Sequence, residues 1–235
     1  MFILVHGAYH AGWCWQPLIE RLRARGHDAV APDLPGHALA DGWIGQQDMS
    51  SYINAIVDLI DKTETPPVLL GHSMSGAVVA GAADLRPDKL EKVIFLAAYI
   101  PADGESVGDM VKTDPESHVK AGKIDVGGVT AISLGAGVLQ DAFYNDATDE
   151  QLGWVEDRIQ LQAAHTFRTP IALSDANFGR VRKAAIVCTG DRAISPAHER
   201  WMAERAGCDP IIELDSGHSP FVTAADELCE ALLGL

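Results

Sequence analysis

The sequence predicts an α/β fold, a doubly wound and mostly parallel sheet of six strands. Short apolar runs, of the kind that form strands buried on both faces, alternate with segments whose apolar residues recur at helical spacing. The alternation is interrupted once, between Pro101 and Lys183, where we expect an inserted and mainly helical cap. The predicted organisation is therefore a core of residues 1–102 and 181–235 and a cap of residues 103–180.

The predicted strands and helices alternate as a parallel sheet with crossover helices requires. The strands are expected at residues 2–6, 28–34, 67–71, 93–98, 184–189 and 210–214. The helices are expected near residues 15–22, 52–60, 75–85 and 196–206, and from Pro220 onward. Gly26 and the pair Pro66 and Pro67 are typical of residues that end a helix.

Composition and charge exclude several classes of function. A chain of 235 residues with 47% hydrophobic residues can bury one large core. The 18 basic and 33 acidic residues give a formal charge of −15, which repels nucleic acids and anionic membrane surfaces. We therefore expect no nucleic-acid partner, no membrane partner and a small, largely neutral substrate. A homodimer is left open.

Localisation and redox state are also predicted. The N-terminal region shows no charged segment followed by an apolar stretch, and the apolar runs are far shorter than the ~20 residues of a membrane span. A cytoplasmic protein is expected. The cysteines lie far apart without a Cys-x-x-Cys pair, which favours buried free thiols over a zinc site or a disulfide framework. They are Cys14, Cys188, Cys208 and Cys229.

The segment GHSMSG, residues 71–76, places a serine at the junction of a predicted strand and a predicted helix. Such a bend lifts the hydroxyl of Ser73 above the sheet, with the N-terminus of a helix behind it. Gly71 lets the bend close, and the position two residues after Ser73 must also be small. Ser75 occupies that position, where the usual pattern G-x-S-x-G has glycine, so Ser75 is interpreted as structural.

A serine hydroxyl needs a base to accept its proton and an acid to orient that base. Asp191 follows the fifth predicted strand and His218 follows the sixth, so the order along the chain is serine, acid, histidine. All three loops open at the carboxyl edge of a parallel sheet, where the side chains can converge. Asp103, after the fourth strand, is an alternative acid, and Asp191 is preferred because its Gly-Asp turn precedes a helix start.

The segment HGAYHAGWCW, which follows the first strand, offers donors for a developing oxyanion. Gly7 is expected to permit an unusual backbone turn that points the amide of Ala8 toward Ser73. The amide of Met74, at the helix N-terminus, is the expected second donor.

Five motifs in this order, HGAYHAGWCW, DLPGH, GHSMSG, TGDRAISP and SGHSPF, resemble the α/β-hydrolase superfamily across nearly the whole chain. Within it, the chain resembles the hydroxynitrile lyase and plant methylesterase-like group and similar bacterial esterases. The resemblance implies chemistry without a cofactor, Ser73, Asp191 and His218 as a catalytic triad, and Ala8 and Met74 as oxyanion donors. It also implies that the first two strands of larger members are missing.

The resemblance implies that the protein is an enzyme, a carboxylic ester hydrolase. Lyases of the group have threonine at the position of Gly7 and lysine after the histidine, where this chain has Ser219, so cyanohydrin cleavage is less favoured. The alternatives left open are a slow ligand sensor of the same fold, an acyl transferase or thioesterase, and a carbamate or amide hydrolase. The histidine spacing indicates no metal site. Aromatic and apolar residues expected to line a substrate pocket are Tyr9, Trp13, Leu134, Phe143, Trp154, Phe167 and Phe221.

Overall fold

The computed structural model describes residues 1–37, 45 and 47–235. Nine strands occur in these residues: β1 (Phe2–Val5), β2 (Ala29–Val30), β3 (Val68–Ser73), β4 (Lys92–Ala98), β5 (Ala121–Val126), β6 (Val129–Leu134), β7 (Gln162–Ala163), β8 (Lys183–Cys188) and β9 (Ile211–Leu214). Six of them form one sheet in the order β2-β1-β3-β4-β8-β9, and every pair in it is parallel. The predicted six-stranded α/β fold is confirmed.

Eight α-helices occur in the same described residues: α1 (Gln16–Ala24), α2 (Met49–Ile60), α3 (Ser75–Leu85), α4 (Val107–Lys112), α5 (Asp149–Glu156), α6 (Pro196–Arg205), α7 (Pro220–Thr223) and α8 (Ala225–Gly234). The single helix predicted from Pro220 is in fact two, because the backbone of Ala224 leaves the helical region at φ −140° and ψ 47°. None of the helices in the described part of the chain has the length and apolar character needed to cross a bilayer.

The second strand is much shorter than predicted, because only Ala29 and Val30 pair with β1. Prolines at positions 32 and 35 have no amide proton to give to a ladder. The amide of Leu34 donates instead to the side chain of His6, Nε2, at 3.0 Å. The rest of the predicted strand therefore runs as irregular chain over the carboxyl edge of the sheet.

The segment between residues 103 and 180 contains a small sheet that the sequence did not predict. Strands β5, β6 and β7 pair in antiparallel fashion, in addition to α4, α5 and a π-helical turn at Leu139–Phe143. Gly127 and Gly128, both with positive φ, join β5 to β6, which is the geometry of a tight hairpin. Because β5 is exposed along nearly its whole length, it lacks the continuous apolar run by which the core strands were recognised.

The bend after β3 depends on close approach between backbone segments. A Cβ atom on Gly71 would lie 2.5 Å from the carbonyl oxygen of Ser75 and 2.6 Å from Cγ2 of Val79. A Cβ atom on Gly76 would overlap the carbonyl oxygen of Tyr99. Strand β3 therefore has no room for a side chain at Gly71, where the start of α3 and the side chain of Val79 pack against it, and α3 is buried over Ser75–Ala83.

We predict that Gly71→Ala lowers the free energy of unfolding by about 1 to 3 kcal/mol, because the added methyl group must displace main-chain atoms. Gly153→Ala is the matched control. Gly153 lies in α5, and no atom lies within 4 Å of the place that an added methyl group would take, so alanine there should raise stability by up to about 1 kcal/mol. Urea denaturation of both variants measures the difference, and equal effects would contradict the close-packing argument.

Candidate active site

Ser73 ends β3 in a strained backbone conformation. Its φ is 55°, a left-handed value that non-glycine residues rarely adopt, and helix α3 begins two residues later. Strained residues of this kind concentrate at functional sites. The sequence predicted a serine held on such a bend, and the structure places it there.

Ser75 is held by a specific hydrogen bond, in line with the structural role predicted for it. Its hydroxyl donates to the carbonyl oxygen of His6 at the end of β1. This bond links helix α3 to the loop that follows β1. The position at which an added side chain would clash is the next one, Gly76, which lies against the backbone of Tyr99. A serine is therefore accommodated at position 75.

Asp191 and His218 form a buried pair. Oδ2 of Asp191 accepts a hydrogen bond from Nδ1 of His218 at 2.6 Å, and both side chains are completely shielded from solvent. The second oxygen, Oδ1, accepts from the amides of Ala193 at 2.6 Å and Ile194 at 3.0 Å. Because Nδ1 donates to the carboxylate, Nε2 of His218 carries the lone pair that can accept a proton. This nitrogen is buried and has no hydrogen-bond partner among the described residues.

The histidine loop is attached directly beside the serine. Nε2 of His72, the neighbour of Ser73, donates to the carbonyl oxygen of His218 at 2.9 Å, and the two imidazole rings lie 4.5 Å apart. His72 therefore satisfies a backbone group. The alternative acid, Asp103, accepts instead from the amide of Leu173 at 2.9 Å, within the inserted segment.

Two adjacent residues of the inserted segment, which the sequence analysis did not assign to the site, bind both loops of the acid and base pair. Nδ2 of Asn145 donates to the carbonyl oxygen of Gly190 at 3.1 Å, next to Asp191. Oδ2 of Asp146 accepts from the amide of Gly217 at 2.6 Å, next to His218. A Cβ atom on Gly217 would lie 2.6 Å from a side-chain oxygen of each residue, so the contact is close.

The loop after β1 passes directly over the serine. A Cβ atom on Gly7 would lie 2.9 Å from the Cβ of Ser73, which explains the glycine by close approach. The expectation that Gly7 adopts an unusual turn is wrong, because the left-handed residue of this loop is Tyr9, with φ 67°. Ala8 and Met74 both line the cavity that contains Ser73.

Buried neutral histidines form hydrogen bonds in and around the loop that follows β1. Nδ1 of His10 lies 2.7 Å from the carbonyl oxygen of Ala8, and its Nε2 lies 2.7 Å from the hydroxyl of Tyr144. Desolvation lowers the pKa of His10 to about 4, and it also lowers the pKa values of His6, His37 and His72. These imidazoles are uncharged at neutral pH and act as hydrogen-bonding groups of the scaffold.

Ser73 lies in an apolar cavity of about 290 Å³. The described residues that form its walls carry no charged side chain; they are Ala8, Tyr9, Ser73, Met74, Tyr99, Val111, Val119, Ala121, Ile132, Phe143, Phe167, Ala193 and Ile194. Of the predicted pocket residues, Tyr9, Phe143 and Phe167 line it. The structure places the other four, Trp13, Leu134, Trp154 and Phe221, outside this lining.

The four outlying residues pack elsewhere. Phe221 packs between other rings of the core, with its ring centroid 4.6 Å from that of Trp15 and 4.8 Å from that of His72. Trp13 stacks on His10 and contacts Trp154, at ring distances of 5.6 and 5.1 Å, while Leu134 packs against the core. The lining residues that the sequence missed are mostly aliphatic, and they come from α4, the segment between α4 and β5, β5, β6 and the loop after β8, together with Tyr99 after β4. Across the described ranges, no three His, Cys, Asp or Glu side chains are grouped to hold a metal ion.

A buried serine bend, an aspartate and histidine pair and an apolar cavity on a six-stranded parallel sheet define an α/β hydrolase. The sequence pattern of the alpha/beta hydrolase family matches residues 2–231, and the chain belongs to that family. It is 30% identical to a pyrethroid hydrolase of Sphingobium wenxiniae over 98% of this chain and 85% of that protein. It is 28% identical to the esterase PIR7B of Oryza sativa subsp. japonica, over 99% and 94% of the two chains.

A solved structure of similar shape agrees with this assignment. The crystal structure of a pyrethroid hydrolase from Sphingobium faniae superposes with a TM-score of 0.84 and 26% sequence identity. The match covers 99% of this chain and 95% of the other. The resemblance to bacterial esterases that was stated from the motifs is confirmed at the level of the family.

We predict that the protein loses stability as the pH falls below about 6.5, the ordinary histidine value. The unfolded chain takes up protons there that the buried histidines, with their lowered pKa values, cannot bind in the folded state. Each one removes up to about 1.4 kcal/mol per pH unit until the pH reaches its folded pKa. Urea denaturation between pH 7.5 and 5.5 measures the slope.

His10→Asn should reduce that slope by about one proton, because the unfolded chain then binds one proton fewer. His27→Gln, a substitution of a histidine that is exposed to solvent, provides the matched control. A slope that responds equally to both substitutions would contradict the assignment to the buried imidazoles.

Proposed function

We propose that the protein hydrolyses small, largely neutral carboxylic esters through an acyl-enzyme, with Ser73 as nucleophile, His218 as general base and acid, and Asp191 as the orienting acid. The observation that carries this proposal is the buried bond between Asp191 and Nδ1 of His218, which leaves Nε2 as a free base. The names of the relatives, an esterase and a pyrethroid hydrolase, support the same class of enzyme, a carboxylic ester hydrolase.

The proposed reaction proceeds in two halves. Nε2 of His218 removes the proton of Ser73 as its oxygen attacks the ester carbonyl, and the amides of Ala8 and Met74 donate to the oxyanion. The tetrahedral intermediate collapses, His218 gives the proton to the departing alkoxide, and the alcohol leaves. Water, deprotonated by the same nitrogen, then hydrolyses the acyl group from Ser73, which restores the serine and releases the acid.

The electrostatic surroundings support an imidazolium at His218. Asp191 accepts hydrogen bonds from two backbone amides besides the imidazole, and in the described part of the chain its ion-pair partner is His218 alone. His10 and His72, which lie close enough to His218 for a charge on it to lower their pKa values, are neutral. They therefore do not repel the positive charge that forms during the reaction.

The cavity supports an apolar and uncharged substrate. Its walls combine aromatic and aliphatic side chains, and none of the lining residues that the structure describes has a charged group to bind a carboxylate or an amine on the substrate. A formal charge of −15 on the whole chain further disfavours anionic ligands. A panel of short aryl esters, methyl esters, thioesters and carbamates, followed by intact-mass detection of the acyl-enzyme, tests the substrate class. A stable adduct without turnover would favour a ligand sensor instead.

We predict that Ser73→Ala lowers kcat for a short-chain p-nitrophenyl ester by at least ~1000-fold, because the nucleophile is removed. Ser75→Ala is the matched control, since Ser75 is directed at the carbonyl oxygen of His6 and not at the cavity. It should retain kcat within about tenfold. Circular dichroism checks that both variants fold, and full activity of Ser73→Ala would refute the nucleophile.

The two aspartates give a second test. Asp191→Asn should lower kcat by up to ~10⁴-fold with little change in KM, because the amide neither fixes the His218 tautomer nor stabilises the imidazolium. Asp103→Asn should cost less than about tenfold, since that carboxylate is bound to Leu173 in the inserted segment. Steady-state measurements of kcat and KM for the two variants show which aspartate orients His218. If Asp103→Asn were the crippling change, the assigned acid would be wrong.

A further inference from the structure

Glu199 is a buried carboxyl group behind the acid and base pair. It lies in the first turn of α6 and is only 3% exposed to solvent. Its Oε2 accepts a hydrogen bond from the amide of Cys188, at the end of β8, at 3.3 Å. Its Oε1 is buried and has no donor within the described part of the chain. The sequence carries no signal of this burial, because a glutamate in a helix is ordinarily on the surface.

Within the described residues, the ionisable groups whose charges act on Glu199 belong to acidic side chains. They are Asp191 in the loop after β8, Asp114 after α4, the thiol of Cys188 on β8 and the phenol of Tyr99 after β4. None of the ion pairs in the described residues includes Glu199. Asp114 is already bound, at 2.7 and 2.8 Å, to the amide and hydroxyl of Ser195.

A carboxylate in this position would be costly. An ionised group buried without a cation loses its hydration and gains no compensating charge, and the neighbouring carboxylates add repulsion. Burial and the charge of Asp191 accordingly raise the pKa of Glu199 well above its ordinary value. A neutral carboxylic acid carries one O–H donor, and a buried donor needs an acceptor. Glu199 is bound to the amide of Cys188, three residues before Asp191, and the charge of the Asp191 carboxylate acts on it, so we take that carboxylate as the acceptor.

We propose that Glu199 is a positioning residue of the acid and base pair: a neutral carboxylic acid whose O–H donates to Asp191 and holds that carboxylate against His218. Asp191 then receives four donors, namely two amides, the imidazole and the carboxyl of Glu199. The additional donor fixes the plane of the Asp191 carboxylate. It also reduces the negative charge that this carboxylate presents to the imidazole of His218. The consequence for turnover rests on the proposed function; the protonation state of Glu199 does not.

Glu199→Gln separates a neutral from an ionised glutamate. Glutamine has the same shape, carries no charge and can still donate to Asp191. We expect kcat within about threefold of the unmodified enzyme and an acid limb of the kcat/KM profile at an unchanged pH. If Glu199 were ionised, the substitution would remove a negative charge beside the pair, and the acid limb would move to lower pH by about one unit or more. That shift would overturn the proposal.

Glu199→Met tests the donor itself, because methionine fills a similar volume without an O–H or N–H group. We expect kcat to fall about 10- to 100-fold, with KM within about threefold. The acid limb should move to higher pH, since Asp191 then presents more charge to His218. A variant that kept both kcat and the acid limb would refute the positioning role. If it fails to fold, Glu199→Gln still decides the protonation state.

Infrared spectroscopy tests protonation without any turnover. The spectrum at neutral pH should contain the C=O band of a protonated carboxylic acid, and the band should be lost in Glu199→Gln. Asp103→Asn is the control and should keep it. A spectrum in which Glu199→Gln removes no such band would overturn the proposal. Because this readout needs no substrate, an enzyme that failed to hydrolyse esters would disprove the proposed function alone.

Discussion

The close approach of three backbone segments around Ser73 is the constraint on which the rest of the site depends. Gly71 lets β3 turn into α3, Gly76 lets α3 lie against the end of β4, and Gly7 brings the β1 loop onto the serine. A methyl group at any of these positions would enter space held by another residue. The positive φ of Ser73 is maintained because these surrounding contacts hold the backbone in that conformation.

The remaining parts of the site are tied to that junction by hydrogen bonds from side chains. His72 binds the loop of His218, and Ser75 binds the end of β1. Asn145 and Asp146 connect the inserted segment to the loops of both the acid and the base. The inserted segment is therefore part of the support of the acid and base pair, and it also contributes Phe143 and Phe167 to the wall of the cavity.

The core of the fold could be predicted because its strands are continuous apolar runs and its helices show regular spacing. The serine bend and the pairing of Asp191 with His218 followed from the carboxyl edge of a parallel sheet, where loops far apart in sequence converge. The hairpin β5-β6 could not be found in this way, since an exposed antiparallel strand has no continuous apolar signal. Glu199 was equally hidden, because its burial depends on how α6 packs on the sheet.

The cysteines have a practical consequence. All four are free and buried, as the sequence predicted, and burial raises the pKa values of Cys14, Cys188, Cys208 and Cys229. Thiolates are the reactive form, so alkylating reagents find almost no target on the folded protein. A cysteine introduced on an exposed position such as Ile124 would then take up a fluorophore or a spin label selectively, with no need to replace the native thiols first.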